Sequence, residues 1–283
     1  MLVLKLVYNT NINFISEIHE LRTILKKKDI NIGIVESVEQ DNHIVKLLCD
    51  DDCYSEKIKD IIDLYMSNVL YKIVIKEYKS REMFDYITEN YFFLKQDEII
   101  EVEEKIMNIL LLESFTDSEN YVYYMNKVNA IIEKIKEFLE ENSEININGF
   151  IRFRMKELKS NIEMVIDKVI ENYMVEKEYK EFVKLLKYFV DIQESKIEEI
   201  NIFINEGGKY LIKNSAGKDI FNEFMKEIAD TKIDTESKME DIIISGLITN
   251  APRKVKIYGK ENCINKEFLE TIINVFEDRV ELG

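Results

Sequence analysis

The sequence predicts an α+β protein, with long amphipathic helices predominating and small β-hairpin or sheet units near the N- and C-terminal ends. Three observations carry this prediction. One proline and eight glycines in 283 residues leave few helix breakers and turn formers, so helices can run long. Apolar residues recur at helical spacing through most of residues 55–194,. Short β-branched or alternating runs bounded by turn residues gather before residue 50 and after residue 199,.

The elements follow in order. LVLKLVY (2–8) reads as a strand, and Asn13–Lys28 as a helix with Phe14, Ile18, Leu21 and Leu25 on one face,. Ile30–Val38 and His43–Cys49 flank Glu39-Gln40-Asp41-Asn42, the pattern of a hairpin,. Ser55 is placed to cap a helix carrying Ile58, Ile61, Ile62, Tyr65, Val69 and Ile73,. Helices over Glu98–Glu113 and Tyr121–Glu141 are joined near Thr116-Asp117-Ser118. From Asn148-Gly149 one helix carries Ile151, Met155, Leu158, Ile162, Val165 and Val169. A second, Val175–Glu194, lines up Tyr179, Phe182, Leu186 and Phe189, with Val183 and Val190 beside them. Both faces are wide and must pack against something.

Beyond Glu199 two short strands surround Glu206-Gly207-Gly208, a further hairpin,. A helix Asp219–Asp230, an apolar helix or strand ending at Pro252, a strand Lys254–Tyr258, a helix Asn265–Phe276 and a strand Arg279–Leu282 complete the chain. Four segments are expected: a β-α-β-β unit (1–54), a helical region (55–142), paired amphipathic helices (143–198), and a hairpin with a β-α-β unit (199–283). They either stand apart or merge into one continuous domain.

Charge and composition narrow the functional classes. The net charge is −16, and only six of the 39 basic residues are Arg, which disfavours phosphate-backbone binding. Three cysteines without a framework spacing predict a reducing, cytoplasmic setting. The apolar run of MLVLKLVYNT is too short for a signal peptide or a membrane span,. No membrane insertion is expected.

No constellation names a reaction. Cys49 and Cys53 in CDDDC, with His43 nearby, lack the paired CxxC spacing of a zinc site,. Gly207-Gly208-Lys209 and Ala216-Gly217-Lys218 do not match a phosphate-binding loop, since Asp219 stands where Ser or Thr is required,. Carboxylate pairs such as Glu101 and Glu104 are what an acidic chain supplies by chance, and two histidines give no Glu-x-x-His pair,. No catalytic residue, cofactor or metal is predicted.

The locally basic window is the exception. Arg152 to Lys187 holds nine Lys or Arg against seven Asp or Glu, a net of +2. Arg152, Lys156 and Lys159 share one helix face, with Arg154 turned away by about 200°. Lys177, Lys180, Lys184 and Lys187 form a second stripe. These eight residues read either as a solvated face or as a docking face for an acidic partner, phosphate or nucleic acid.

GFIRFRMKEL (149–158), YKEFVKLLKYFVDIQE (179–194), DIIISGLITNAPRKVKIY (241–258) and NVFEDRVEL near the end together resemble the YtxC-like family of sporulation proteins of endospore-forming bacteria. The resemblance implies a cytoplasmic protein linked to spore formation and carries over no activity, cofactor or catalytic residue. The expected function is therefore a non-enzymatic interaction or regulatory protein with a protein partner or self-association. Polyanion or nucleic-acid binding through residues 152–187 is the alternative, and a hydrolase or transferase with converging acids is a second.

Overall fold

The structure, a computed structural model, describes residues 1–9, 14–39, 42–52, 54–113, 120–224 and 239–283. They form an α+β fold, helix-rich, with a four-stranded sheet near each end. The chain divides into two compact units, Met1–Tyr173 and Met174–Gly283.

In the first unit β1 (Leu2–Asn9), β2 (Ile32–Glu39), β3 (Asn42–Cys49) and β4 (Glu144–Asn146) form a sheet of order β2-β3-β1-β4. β1 and β2 pair antiparallel with β3, as the hairpin pattern predicts, though its turn residues Gln40 and Asp41 lie outside the described residues. β4 pairs parallel with β1, matching Lys5 with Glu144, and was not predicted. Three residues with no alternation of their own leave no strand signal, and a partner 139 positions away is invisible locally,.

Helix α1 (Ile15–Lys26) buries Ile18, Leu21 and Leu25. α2 (Glu56–Tyr78) starts where Ser55 predicts, the serine hydroxyl accepting from the Ile58 amide at 3.4 Å,. Lys79–Met83 is a single π-turn that leads into α3 (Phe84–Asn90),. α4 (Gln96–Leu110) and α5 (Tyr121–Glu141) follow, and the predicted joint at Thr116-Asp117-Ser118 lies outside the described residues.

Where the spacing predicts two helices between 148 and 194, the chain makes one, α6 (Ile147–Ile192), 46 residues long. ENYMVEK (171–177) contains no glycine, proline or capping sequence, so nothing stops backbone hydrogen bonding there,. Its portion in the first unit buries Ile151, Met155, Leu158, Ile162, Val165 and Val169, the predicted face. Asp167 accepts hydrogen bonds from the hydroxyls of Tyr86 (2.8 Å) and Tyr91 (2.7 Å).

The second unit contains the rest of α6, a sheet of order β6-β5-β7-β8, and two crossover helices. β5 (Glu199–Ile204) and β6 (Tyr210–Asn214) form the predicted hairpin; Gly208 takes φ +70°, a conformation open to glycine at little cost,. The helix predicted over Asp219–Asp230 is helical at 221–224, and its remainder lies outside the described residues. The apolar stretch before Pro252 is a helix, α7 (Met239–Asn250). β7 (Lys254–Tyr258), α8 (Lys266–Phe276) and β8 (Val280–Leu282) follow, with β7 parallel to both β5 and β8. Ile200, Ile202, Val255 and Ile257 point from the central strands into a core shared with Val183, Val190, Phe224, Leu247 and Phe268.

Candidate functional site

The eight predicted basic residues do not act as one set. In the first unit Arg154 is held by Glu157, Nη1 lying 2.9 Å from each carboxylate oxygen, and its guanidinium sits over the Phe138 ring. Lys159 is bracketed by Glu82 at 3.0 Å and Glu163 at 3.4 Å, and these acids raise its pKa. Arg152 and Lys156 are exposed without an ion pair among the described residues. In the second unit Lys187 binds Glu277 at 2.5 Å, and that hydrogen bond raises its pKa. Lys180 and Lys184 are exposed, and Lys177 is partly buried. Acids thus neutralise at least three of the eight, and Lys159 and Lys187 are paired through residues far away in sequence.

Among the described residues no group of three His, Cys, Asp or Glu converges as a metal site. Cys53 lies outside them, while Cys49 is buried in β3. Gly207-Gly208 and Gly217 occupy turns, and Lys218 pairs with Glu223 at 2.5 Å. No helix among the described residues is long and apolar enough to cross a membrane.

The most distinctive surface lies in the second unit. The C-terminal part of α6 carries two apolar stripes rather than one. Tyr179, Val183, Leu186 and Val190 face the core, with Val190 only 1% exposed. Phe182, Leu185, Phe189 and Ile192, spaced three, four and three residues, face outward at 53%, 51%, 42% and 60% exposure, with Tyr188 beside them. Phe182 and Phe189 were expected on the buried line. The core is narrower than the apolar arc, so only the half centred on Val183 and Val190 reaches it. Leu185, Tyr188 and Ile192 were not singled out from sequence. Their signal was legible: at 100° per residue the apolar arc spans about 220°, more than one interface can cover.

Beside the outward stripe lies a cavity of about 440 Å³ between α6, α7 and the start of α8. Phe182 and Leu186 line it from α6, Ile244 and Ile248 from α7 and Phe268 from α8, and Glu240, Asp241 and Glu267 carry its negative charge. Glu240 braces the structure: Oε1 accepts from the Tyr210 hydroxyl at 2.6 Å and Oε2 from the Asn265 amide at 2.7 Å. Burial first, and then that bond to Glu240, push the Tyr210 pKa well above its ordinary value. Asn265 in turn caps α8 by accepting from the Phe268 amide at 3.3 Å,. With both oxygens taken, Glu240 is not arranged as a free general base. The cavity has the chemistry of a groove for an apolar side chain.

The molecule is thus a helix-dominated α+β protein of two units, the second of which leaves half of a helix's apolar surface in water. It belongs to the YtxC-like family, whose profile matches residues 64–281. It is 23% identical over 227 residues to the uncharacterized protein YtxC of Bacillus subtilis strain 168, a match covering 78% of this chain and 77% of that protein. No solved structure matches the chain.

Proposed function

We propose that the chain is a non-enzymatic interaction or regulatory protein that acts in the cytoplasm during sporulation. The observation that carries the interaction reading is the outward stripe Phe182, Leu185, Phe189 and Ile192. Scattered exposed apolar residues are ordinary, but a row of large ones in register along a helix, beside an apolar cavity, is the pattern of a contact surface. The sporulation reading rests on the resemblance of residues 149–158, 179–194 and 241–258 to the family.

Affinity capture from sporulating cells tests the reading, with the intact chain compared against Leu185→Asp and Ile192→Asp. A stoichiometric protein captured by the intact chain and lost from both variants is the expected result. Recovery of none under mild crosslinking, or equal recovery by all three, would overturn it. The polyanion alternative retains Arg152, Lys156, Lys180 and Lys184 as exposed cations, and the ion pairs at Arg154, Lys159 and Lys187 weaken it.

A further inference from the structure

We infer that the surface formed by the outer stripe of α6 and the cavity beside it receives one amphipathic helix of a different protein, with Lys or Arg flanking its apolar stripe. This rests on the interaction reading above and specifies the partner's chemistry.

Geometry selects a helix. Phe182, Leu185, Phe189 and Ile192 are spaced three, four and three residues, the alternation by which a second helix can keep its side chains seated along a seam,. The walls are helices α6, α7 and α8, whose backbone groups are consumed internally, so no strand edge is offered for β-addition,. Half-exposed Phe, Tyr, Leu and Ile side chains each leave on the order of 100 Å² uncovered. The four stripe residues and Tyr188 therefore present roughly 500 Å²,. A helix covering them would bury about 1,000 Å² over both partners, the lower bound for a specific interface.

Charge selects its flanks. Glu178 and Glu181 are exposed and fall within the arc of the outward stripe, at 100° per residue,. Asp241 and Glu267 are exposed around the cavity, where Glu240 adds a third carboxylate, and among the described residues neither Lys nor Arg lines it. Of the lysines of α6, Lys180 and Lys187 project about 140–160° from Phe182, on the far side of the helix, while Lys177 and Lys184 border the stripe beyond Tyr188, so the acidic side is the one toward the cavity,. A second copy of this chain would bring the same acid-bordered surface, and each copy carries a net charge of −16,. Like charges brought together disfavour that pairing, whereas Lys or Arg beside an apolar stripe completes it.

The probe is a fluorescein-labelled synthetic peptide of three heptads, with Leu and Ile on one stripe and Lys flanking it, titrated into the full chain by anisotropy. Two further peptides serve as comparisons: a scramble of the same composition without the stripe, and a version with Glu in place of Lys. The Lys-flanked helix is expected to bind about tenfold or more tighter than either, and to lose that binding in Leu185→Asp and in Ile192→Asp. Asp241→Lys with Glu267→Lys should shift preference toward the Glu peptide. Hydrogen exchange at β5 and β7 checks that each variant remains folded. Equal binding of the scramble, equal binding of the Glu peptide, or a dimer in light scattering that Leu185→Asp dissolves would each overturn the inference. If the peptides fail while capture of a cellular partner still depends on Leu185, the basic helix is wrong and the interaction reading stands. If that capture fails too, both fall.

Discussion

Gly246, in the middle of α7, offers a substitution whose sign the structure reverses. In an exposed helix Gly→Ala stabilises by about 1 kcal/mol. Here a Cβ would fall 2.1, 2.4 and 2.6 Å from Cδ2, Cγ and Cε2 of Phe224. Carbon atoms pack at about 3.5–4.0 Å, so the ring or the helix must retreat by more than about 1 Å. Phe224 is buried in the core of the second unit, so moving its ring disturbs the packing around it,. Overpacking costs about 1–3 kcal/mol and occasionally more. An overlap this deep belongs at the upper end, so after the gain in helix propensity Gly246→Ala should lose about 2 kcal/mol.

Hydrogen exchange at β5 and β7 is the suitable assay. It reports on the second unit by itself, and the chain has no tryptophan for fluorescence,. Phe224→Leu alone should cost about 1–2 kcal/mol through the space it leaves. The double variant should be more stable than the sum of the two losses by at least about 1 kcal/mol, because the smaller side chain makes room for the new methyl. Increased protection in Gly246→Ala, or strict additivity, would refute the reasoning.

Other substitutions test other parts of the structure. Leu185→Asp should change stability by no more than about 0.5 kcal/mol in thermal unfolding; Val190→Asp, five residues on but turned inward, should unfold the second unit. Tyr78 is fully buried and its hydroxyl has no partner among the described residues. Tyr78→Phe should therefore stabilise by about 1–2 kcal/mol in urea denaturation, and a loss would contradict that assignment. Asp63 is buried, and desolvation raises its pKa despite the opposing bond from Lys59 at 2.6 Å. Its folded form thus holds a proton more tightly than its unfolded form. Its contribution is greatest in acid and is lost as pH rises through the raised pKa. Asp63→Asn should flatten stability against pH across that acidic interval; an unchanged profile would show that Asp63 does not set it.

Much of this fold was legible because its signals are local. Ser55 before an apolar run marks the start of α2, and Gly207-Gly208 between alternating runs marks the turn joining β5 and β6. The site was legible only in part. Sequence placed Phe182 and Phe189 on an apolar line but could not tell which half of the arc the core would cover. It also grouped Lys159 and Lys187 with the free cations, because Glu82 and Glu277, which neutralise them, stand 77 and 90 positions away.

Sequence by itself determined the helix-rich α+β character, both hairpins and the amphipathic face of α6, since each depends on residues within a few turns of one another. Tertiary structure alone decided the rest. It set the parallel pairing of β4 on β1, the closure of Glu240 between Tyr210 and Asn265, and the exposure of Phe182, Leu185, Phe189 and Ile192. The physical reason is that burial and pairing belong to contacts between segments distant in the chain. A helix's own pattern states how much apolar surface it has, while the shape of the neighbouring core states how much of it is covered.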